Sequence, residues 1–388
     1  MDVTAVRPDF AGLDQRTYLN TGGLGLLPNC TRAEIRAGYD AFGDTIDPWT
    51  WYKQCLERAE GLRDQIARFV GADGDEIALK TSVADGYGSV LWGLTWQPGD
   101  EIIVSSEEHP TARLAVELAA RQLGLSVKVV PIGAGGAEFL ESLRQAIGPR
   151  TRLLALSSVT TDSGTSIPVH AVCQLAHANG ALVLLDGAHV FGQVPLDLHT
   201  LDCDFFATMG YKWALGPMGS GFLYVRRACQ NQLRSVIGAG GTRWLDLPGG
   251  RYEEATDAQR FEFTSRPWIE FFALGRSLEY LDAIGVREIQ RYVQSLVQRL
   301  RGQLAEIPGV AIATPDGQDV ATGIVSFGVA GVPPAELSQA LLNQNILQRA
   351  AMMAGRAGGI RISLALYTTA DDVDRLVGAV RELAPILT

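Results

Sequence analysis

One lysine lies in the most unusual stretch of the chain, ATMGYKWALGPMGSGFLYV. Lys212 stands between Tyr211 and Trp213, several glycines follow it, and the stretch ends in an apolar run typical of a strand. Close packing around such a lysine would desolvate its ammonium group and lower its pKa, as a lysine that forms an imine requires. A lysine seen alone in such a loop is more often a solvated surface charge, so the rest of the chain has to decide.

A carboxylate is placed to meet this lysine. Asp186 ends the apolar run ALVLLD, and one connection and one predicted strand separate it from Lys212. Ligands of open parallel sheets bind at the carboxyl ends of the strands, so both side chains can face one crevice. A carboxylate that keeps a pyridine nitrogen protonated, with an imine-forming lysine, is the minimum that pyridoxal phosphate (PLP) requires. The alternative is that Asp186 only caps the next helix.

Two further segments could serve this cofactor. Thr81-Ser82-Val83-Ala84 joins a predicted strand to a predicted helix, where backbone N–H groups and the helix dipole favour a phosphate group. A serine that merely caps the helix would give the same pattern. His109, in SSEEHPTARL, could stack its flat imidazole on the cofactor ring, although a solitary loop histidine usually has no such role.

Strand and helix patterns alternate from Glu76 to Val225, and the strands are almost continuously apolar. This predicts an α/β fold with a mainly parallel sheet covered on both faces. A long helix from about Trp268 to Ile284 and an α+β tail follow. The aromatic segment DPWTWYKQ either anchors a loop on the core or lines a pocket. We predict three parts, which are an N-terminal arm (1–25) that joins the small domain, a large cofactor-binding domain (26–265) and a small C-terminal domain (266–388).

The composition of the chain argues against several classes of function and site. The chain has 388 residues and a net charge of −10, which argues against nucleic acid and anionic membranes as partners. Its five cysteines are scattered, so neither a metal site nor a disulfide framework is expected. The N-terminus lacks the pattern of a signal peptide, and no apolar run approaches the roughly 18 residues of a membrane span. We expect a cytoplasmic protein with free thiols.

The chain resembles the fold-type I PLP enzymes of the class V aminotransferase, or cysteine desulfurase-like, superfamily. The matching segments follow the order of that superfamily and cover nearly the whole chain: YLNTGG, TSVADG, EEHPTARL, SVTTDSGTSIPV, LLDGAHVFGQVPLDL, MGYKWALGPMGSGFLYV and GIRISLALYTTADDVDRL. The resemblance implies a large domain with a mainly parallel sheet of the seven-stranded type and a smaller α+β C-terminal domain.

The resemblance also implies roles for individual residues. Lys212 is similar to the imine-forming lysine, Asp186 to the partner of the pyridine nitrogen, and His109 to the stacking histidine. Arg361, in GIRISL, resembles the arginine that binds the substrate α-carboxylate through a bidentate fork. The other positions implied to lie near the cofactor are Ser82, Val83, Thr161 or Asp162, His189 and Thr208. Candidates for the walls of the substrate pocket are Asn20, Trp51, Tyr87 and Met352–Met353.

Two segments depart from the superfamily pattern. Thr264 and Ser265 stand where a Gly-Thr pair commonly reaches the phosphate of the neighbouring subunit, which implies a homodimer with shared active sites. Met209 and Tyr211 stand where relatives carry Ser or Thr and His before the lysine. A methionine cannot donate a hydrogen bond to a phosphate, so either Thr208 or Tyr211 substitutes, or the phosphate is held less firmly.

The position of the cysteines bears on the reaction. Cysteine desulfurases need a nucleophilic cysteine shortly before the segment matched by GIRISL, and the last cysteine of this chain is Cys229. Three reactions of a small amino-acid substrate remain: α,β-elimination of a cysteine derivative, epimerisation and transamination. We favour a PLP-dependent carbon–sulfur lyase, because the motifs look most like the cysteine/cystine C–S lyases and the isopenicillin N epimerase-like proteins. A non-catalytic PLP-binding protein is the remaining alternative.

Overall fold

The computed structural model describes residues 1–237, 241–246, 248–317, 322–351 and 359–387, apart from the side chains of Arg243, Trp244 and Leu387. The N-terminal arm contains helix α1 (Val3–Val6) and strand β1 (Thr17–Tyr18). It is tied to the C-terminal part of the chain. Arg7 binds the carboxylate of Asp372 at 2.7 Å, and β1 pairs in parallel with Ile346–Leu347.

A seven-stranded sheet forms the centre of the molecule. Its strands are β2 (Ile77–Leu79), β3 (Glu101–Ser105), β4 (Ser126–Val130), β5 (Thr151–Ser157), β6 (Leu182–Asp186), β7 (Phe205–Met209) and β8 (Gly221–Val225). They lie in the order β2-β8-β7-β6-β5-β3-β4. Only β8 is antiparallel to its neighbours, so the carboxyl ends of the other strands share one edge of the sheet.

Helices cover both faces of this sheet. They are α2 (Asn29–Gly43), α3 (Pro48–Val70), α4 (Val83–Gly93), α5 (Pro110–Leu123), α6 (Gly136–Ala146), α7 (Val169–Ala178) and α8 (Leu198–Leu201). Because side chains alternate along a strand, the two faces of β7 differ. Phe205, Ala207 and Met209 pack in the same cluster as α4 and α5, whereas Phe206 packs against Phe222 on the other face. Helix α4 therefore lies directly over β7.

The DPWTWYKQ segment is helical, so its prediction as a loop is wrong. Helix α3 begins at Pro48 and includes both tryptophans of this segment. Asp47 caps it and accepts hydrogen bonds from the backbone N–H groups of Trp49 and Thr50. An N-cap aspartate followed by proline at the first helical position is a strong start signal, and the aromatic cluster concealed it.

The remaining elements form the C-terminal part. They are the hairpin β9 (Thr242–Asp246) and β10 (Arg251–Glu254), helices α9 (Trp268–Ile284) and α10 (Val286–Ala305), strands β11 (Val310–Ile312) and β12 (Ile324–Val329), helix α11 (Pro334–Asn343), strands β13 (Ile346–Leu347), β14 (Arg349–Ala351) and β15 (Gly359–Ser363), and helix α12 (Ala370–Leu387). Helix α9 packs against α2 and α3. An antiparallel sheet, ordered β11-β12-β15-β14, packs with α10 and α11, and these two helices contact α12.

The predicted fold class is confirmed, since a mainly parallel seven-stranded sheet is joined to a smaller α+β unit. Helix α9 has the predicted bounds. The division at residue 265 stays a prediction, and the packing of α9 on α2 and α3 favours including α9 in the large domain. Within the described ranges, no helix combines the length and the apolar character that crossing a membrane requires.

Candidate active site

Lys212 and Asp186 both lie at the carboxyl edge of the large sheet, close enough for their charges to interact. Asp186 is the last residue of β6, and Lys212 lies in the tight loop that follows β7. Both side chains are buried. The N-terminal arm closes over the loop, because the Gly25 N–H donates to the carbonyl of Tyr211 at 2.7 Å. A Cβ atom at Gly25 would lie 1.9 Å from the Lys212 carbonyl oxygen, so only glycine allows this approach.

Burial sets the ionisation of this pair. It lowers the pKa of Lys212 to about 8, and the nearby Asp186 charge only partly opposes this effect. Burial also raises the pKa of Asp186, although the charge of Lys212 counteracts it. The Ala188 N–H donates to Asp186 Oδ1 at 2.8 Å. The site thus holds an amine that loses its proton readily and a carboxylate that a further cation would stabilise.

His189 lies beside Lys212. Its Nε2 atom is 3.3 Å from Lys212 Nζ and 3.2 Å from Thr161 Oγ1, and the indole N–H of Trp213 donates to its Nδ1 atom at 3.3 Å. Burial, and after it the charge of Lys212, holds the pKa of His189 well below its usual range. His189 is therefore a neutral imidazole in this site.

His109 is the N-cap of α5 and is half-buried. Its Nδ1 atom accepts a hydrogen bond from the Thr111 N–H at 3.2 Å, and burial followed by the charge of Lys212 lowers its pKa to about 4. The ring is thus neutral, and its flat face can stack on a flat cofactor. Glu108, which the sequence did not single out, accepts hydrogen bonds from the hydroxyl groups of Ser105 (2.6 Å) and Ser157 (2.7 Å) and fixes this turn.

The N-terminus of α4 opens at the same edge. Ser82 caps this helix by accepting a hydrogen bond from the Asp85 N–H at 3.2 Å, and its hydroxyl proton stays free to donate. The first backbone N–H groups of a helix, here beginning at Val83, have no partner within the helix. The carboxylate of Asp85 forms an ion pair with Lys80 Nζ at 3.1 Å, which offsets its negative charge. The turn therefore favours an anion.

Thr208 and Tyr211, the two residues that could bind the phosphate in place of the Ser or Thr and His of relatives, lie on different faces of the sheet. Thr208 is fully buried, and its Oγ1 atom has no hydrogen-bond partner among the described residues. By strand alternation it points away from the face that α4 covers. Tyr211 packs against the cluster that contains Val83, on the α4 side. Of these two side chains, Tyr211 is the one on the face of the sheet that α4 covers.

Arg361 points into the site from β15 and is fully buried. It donates to the carbonyl and hydroxyl oxygens of Thr161 (2.9 and 3.2 Å) and to Asn20 Oδ1 (3.1 Å). These are neutral acceptors, and its Nε atom has no partner among the described residues. Burial, and then the charge of Arg349, lowers the pKa of Arg361 to about 10. An anionic ligand would compensate this buried positive charge and lower its energetic cost.

Arg349 is a site residue that the sequence did not reveal. It lies opposite Arg361 in the pairing of β14 with β15, and its charge acts on Lys212, His109 and His189. Its carboxylate neighbour, Asp162, is 3.8 Å away. The signal is missing from the sequence because a three-residue strand has no recognisable pattern, and its register depends on the fold.

The remaining predicted residues differ in where they lie. Trp51 does not join this group, because α3 presents it to Phe42, at 5.0 Å between ring centroids, in a groove between α2, α3 and α9. Thr264 and Ser265 lie on an exposed turn. Tyr87 is buried near Asp186, whose charge adds to the rise that burial causes in its pKa. Met352–Met353 lie outside the described residues.

These side chains fit PLP. A buried amine with a lowered pKa shares this sheet edge with a buried carboxylate that a cationic ring nitrogen would stabilise. An anion-binding helix terminus and a neutral flat imidazole belong to the same edge of the sheet. Among the described residues, the acceptors of the Arg361 guanidinium are neutral oxygens, so its charge is available to a substrate carboxylate.

Comparisons with known proteins agree. The chain is 30% identical over 417 aligned residues to a cysteine desulfurase of Escherichia coli O127:H6, with 99% of each chain covered. It is similar to the cystine C–S lyase C-DES in complex with its reaction product cysteine persulfide, with a TM-score of 0.89, 26% identity and coverage of 96% of this chain and 99% of that one. A C-DES mutant with glycine covalently linked to the PLP cofactor gives a TM-score of 0.88, 26% identity and coverage of 97% and 99%. The profile of the family described as aminotransferase class-V matches residues 49–376, and the chain belongs to this family.

Proposed function

We propose that this chain is a PLP-dependent carbon–sulfur lyase that acts on a cysteine-derived or S-substituted amino acid. The observation that carries the proposal is a desulfurase-like site in a chain without a cysteine after Cys229. Cys229 is buried, its Sγ atom is 3.3 Å from Asp204 Oδ1, and burial raises its pKa to about 12. It cannot serve as the thiolate that takes up sulfur, so elimination replaces transfer of sulfur to a cysteine.

Each group of the site has a part in holding the cofactor. Lys212 would bind PLP covalently, Asp186 would bind its ring nitrogen, and His109 would contact its face. The helix terminus at Ser82 and Val83 would bind the phosphate. Bound PLP supplies an electron sink that stabilises negative charge at the substrate Cα atom.

Lys212 moves the proton. Its Nζ atom, once free, takes the proton from the substrate Cα atom, and a pKa of about 8 leaves part of the amine unprotonated near neutral pH. The Cα–H and Cβ–S bonds break, and the electron pair of the second bond leaves with sulfur as a thiolate or persulfide. Water converts the remaining three-carbon fragment into pyruvate and ammonia. The neutral His189 beside Nζ does not compete for this proton.

Two arginines select the substrate. Arg361 would bind the α-carboxylate through a charge-assisted pair, with Asn20 fixing the guanidinium from the other side. Arg349 is about one-third exposed and lies beside it. It favours an S-substituent that itself carries a negative group, such as the second half of a disulfide-linked amino acid.

The reaction is tested with a panel of cystine and S-substituted cysteines. A lyase releases pyruvate, ammonia and thiol or persulfide in equal amounts from the purified holoenzyme. Exchange of the Cα hydrogen for deuterium without pyruvate would identify an epimerase instead. A requirement for a keto acid would identify an aminotransferase, and bound PLP without any of these reactions would identify a non-catalytic binding protein.

We also propose a homodimer with shared active sites and a cytoplasmic location. Thr264 and Ser265 are exposed, and Ser265 has a φ of +57°, a strained backbone that a non-glycine residue adopts where a contact needs it. The five cysteines are unpaired, in keeping with a reducing compartment. Sedimentation of the purified protein tests the dimer. Loss of PLP affinity in a Thr264→Ala, Ser265→Ala variant tests the shared site, and cell fractionation tests the location.

A further inference from the structure

The contact between Trp213 and His189 fixes where a proton lies in the site. An indole N–H can only donate, so the Nδ1 atom that receives it, 3.3 Å away, must be unprotonated. A neutral imidazole carries one proton, and here that proton is on Nε2. The Nε2 atom faces Lys212 Nζ at 3.3 Å and Thr161 Oγ1 at 3.2 Å.

We infer that Trp213 is a positioning residue that holds His189 in its Nε2–H tautomer and so keeps a permanent hydrogen-bond donor facing Lys212. A donor at Nε2 stabilises the unprotonated amine of Lys212 and opposes its ammonium form. Without Trp213, Nδ1 could take the proton and Nε2 would become an acceptor for the ammonium. The inference concerns these three side chains and holds whichever reaction the site performs.

The surrounding backbone makes this arrangement rigid. Gly192 has a φ of +91°, and a Cβ atom there would lie 2.4 Å from the backbone nitrogen of Ala214. The turn after Asp186 and the loop after Lys212 therefore pack directly on each other. Gln193 donates to the His189 carbonyl and accepts from the Gly323 N–H at 2.9 Å.

Water does not replace the indole donor. Trp213 is 2% exposed and His189 is 4% exposed. A hydroxyl oxygen has two acceptor lone pairs. The hydroxyl of Thr161 uses one to accept from Arg361 at 3.2 Å, and the other can accept a hydrogen bond from Nε2. The charged and titratable groups that face His189 are Lys212, Arg361, His109 and Arg349. Three of them are basic side chains that oppose a second proton on His189, and this also favours the neutral ring.

The first test measures the tautomer directly. In protein labelled with ¹⁵N-histidine, the two ring nitrogens of His189 are assigned by their loss in a His189→Gln variant. We expect a single Nε2–H tautomer throughout the neutral pH range, in both apo and PLP-loaded protein. An Nδ1–H tautomer, or a mixture, in the unmodified chain would overturn the inference, and this result depends neither on activity nor on the folding of a Trp213 variant.

The second test removes only the indole donor. Trp213→Phe keeps an aromatic ring, and we expect it to introduce the Nδ1–H tautomer. We also expect a shift of up to about one pH unit, to higher pH, in the titration of Lys212, since one hydrogen bond is worth roughly a tenfold change in an equilibrium. Lys212 is followed by the pH dependence of PLP attachment to the apoenzyme.

A double variant separates the tautomer from packing. A leucine side chain has no hydrogen-bonding atoms, so in a His189→Leu background Trp213→Phe should leave the titration of Lys212 unchanged. An equal shift in both backgrounds would show that Trp213 acts only through packing, and the inference would fail. Failure of the proposed lyase activity would leave the tautomer result intact, so the two proposals are distinguishable.

Discussion

Arg349 and Arg361 lie directly opposite each other on β14 and β15, in the register of an antiparallel pair. Like charges in this relationship repel each other, and one of them is fully buried. The carboxylate of Asp162 approaches Arg349 only to 3.8 Å. The pair therefore has positive charge to offer to an anionic ligand, and the two arginines can be tested separately.

Removing Arg361 should damage the binding of every amino-acid substrate. A charge-assisted pair is worth about 1.5–3 kcal/mol, so we expect Arg361→Ala to lower kcat/KM by about 10- to 150-fold, mostly through KM. Arg361→Lys keeps the charge without the fork and should recover part of the loss. Steady-state kinetics measures both variants. Unchanged kinetics would mean that the α-carboxylate binds elsewhere.

Removing Arg349 should instead lower activity with some substrates and not with others. Arg349→Gln removes the charge of a partly exposed guanidinium, whose contact with a second carboxylate we expect to be worth about 1 kcal/mol, a fivefold effect on kcat/KM. The loss should appear with cystine and be absent with an uncharged S-alkyl cysteine. The matched comparison is Arg361→Ala, which should affect both substrates. An equal loss with both substrates would contradict a role in selecting the S-substituent.

Much of this site could be predicted from local sequence, because its main groups follow apolar strands. Asp186 ends β6 and Lys212 follows β7, and parallel strands bring such positions to one edge. Arg349 could not be predicted, since its place depends on the pairing of two short strands. The role of Trp51 as a pocket wall stays a prediction, because local sequence does not show where a helix packs, and α3 presents Trp51 to Phe42.

Replacing Lys212 should abolish both covalent attachment of PLP and turnover. We expect Lys212→Ala to change the visible absorbance of the bound cofactor and to prevent its fixation by borohydride, because Lys212 is the amine whose charge acts on Asp186. Mass spectrometry of the borohydride-treated enzyme should locate PLP on the peptide that contains Lys212. The control is Lys53→Ala, which removes an exposed lysine and should change nothing. An untouched spectrum in Lys212→Ala would sink this assignment.

The attachment of PLP to the apoenzyme should depend on pH. Only the unprotonated amine attacks a carbonyl group, so the rate should rise with pH and reach half its maximum near the Lys212 pKa of about 8. The Asp186 charge raises that pKa, so Asp186→Asn should move the midpoint to lower pH. The same variant should lose turnover, since the ring nitrogen loses its anionic partner. Stopped-flow absorbance gives the midpoint, and a shift to higher pH would contradict the assigned interaction.

The last prediction compares the two residues that could replace the missing phosphate ligands. Tyr211 packs on the α4 side, and we expect Tyr211→Phe to weaken PLP binding by about 1 kcal/mol, the usual value of one hydrogen bond. Thr208 points to the other face, so Thr208→Val should leave the PLP dissociation constant unchanged.

The Thr208→Val variant can also be tested by its free energy of unfolding. The Thr208 hydroxyl is fully buried and has no hydrogen-bond partner among the described residues, so replacing it by a methyl group removes a desolvated polar atom. We expect Thr208→Val to raise the free energy of unfolding by about 1 kcal/mol, measured by urea denaturation of the apoenzyme. Weaker PLP binding in Thr208→Val, with unchanged binding in Tyr211→Phe, would reverse the assignment and place the phosphate on the other face of β7.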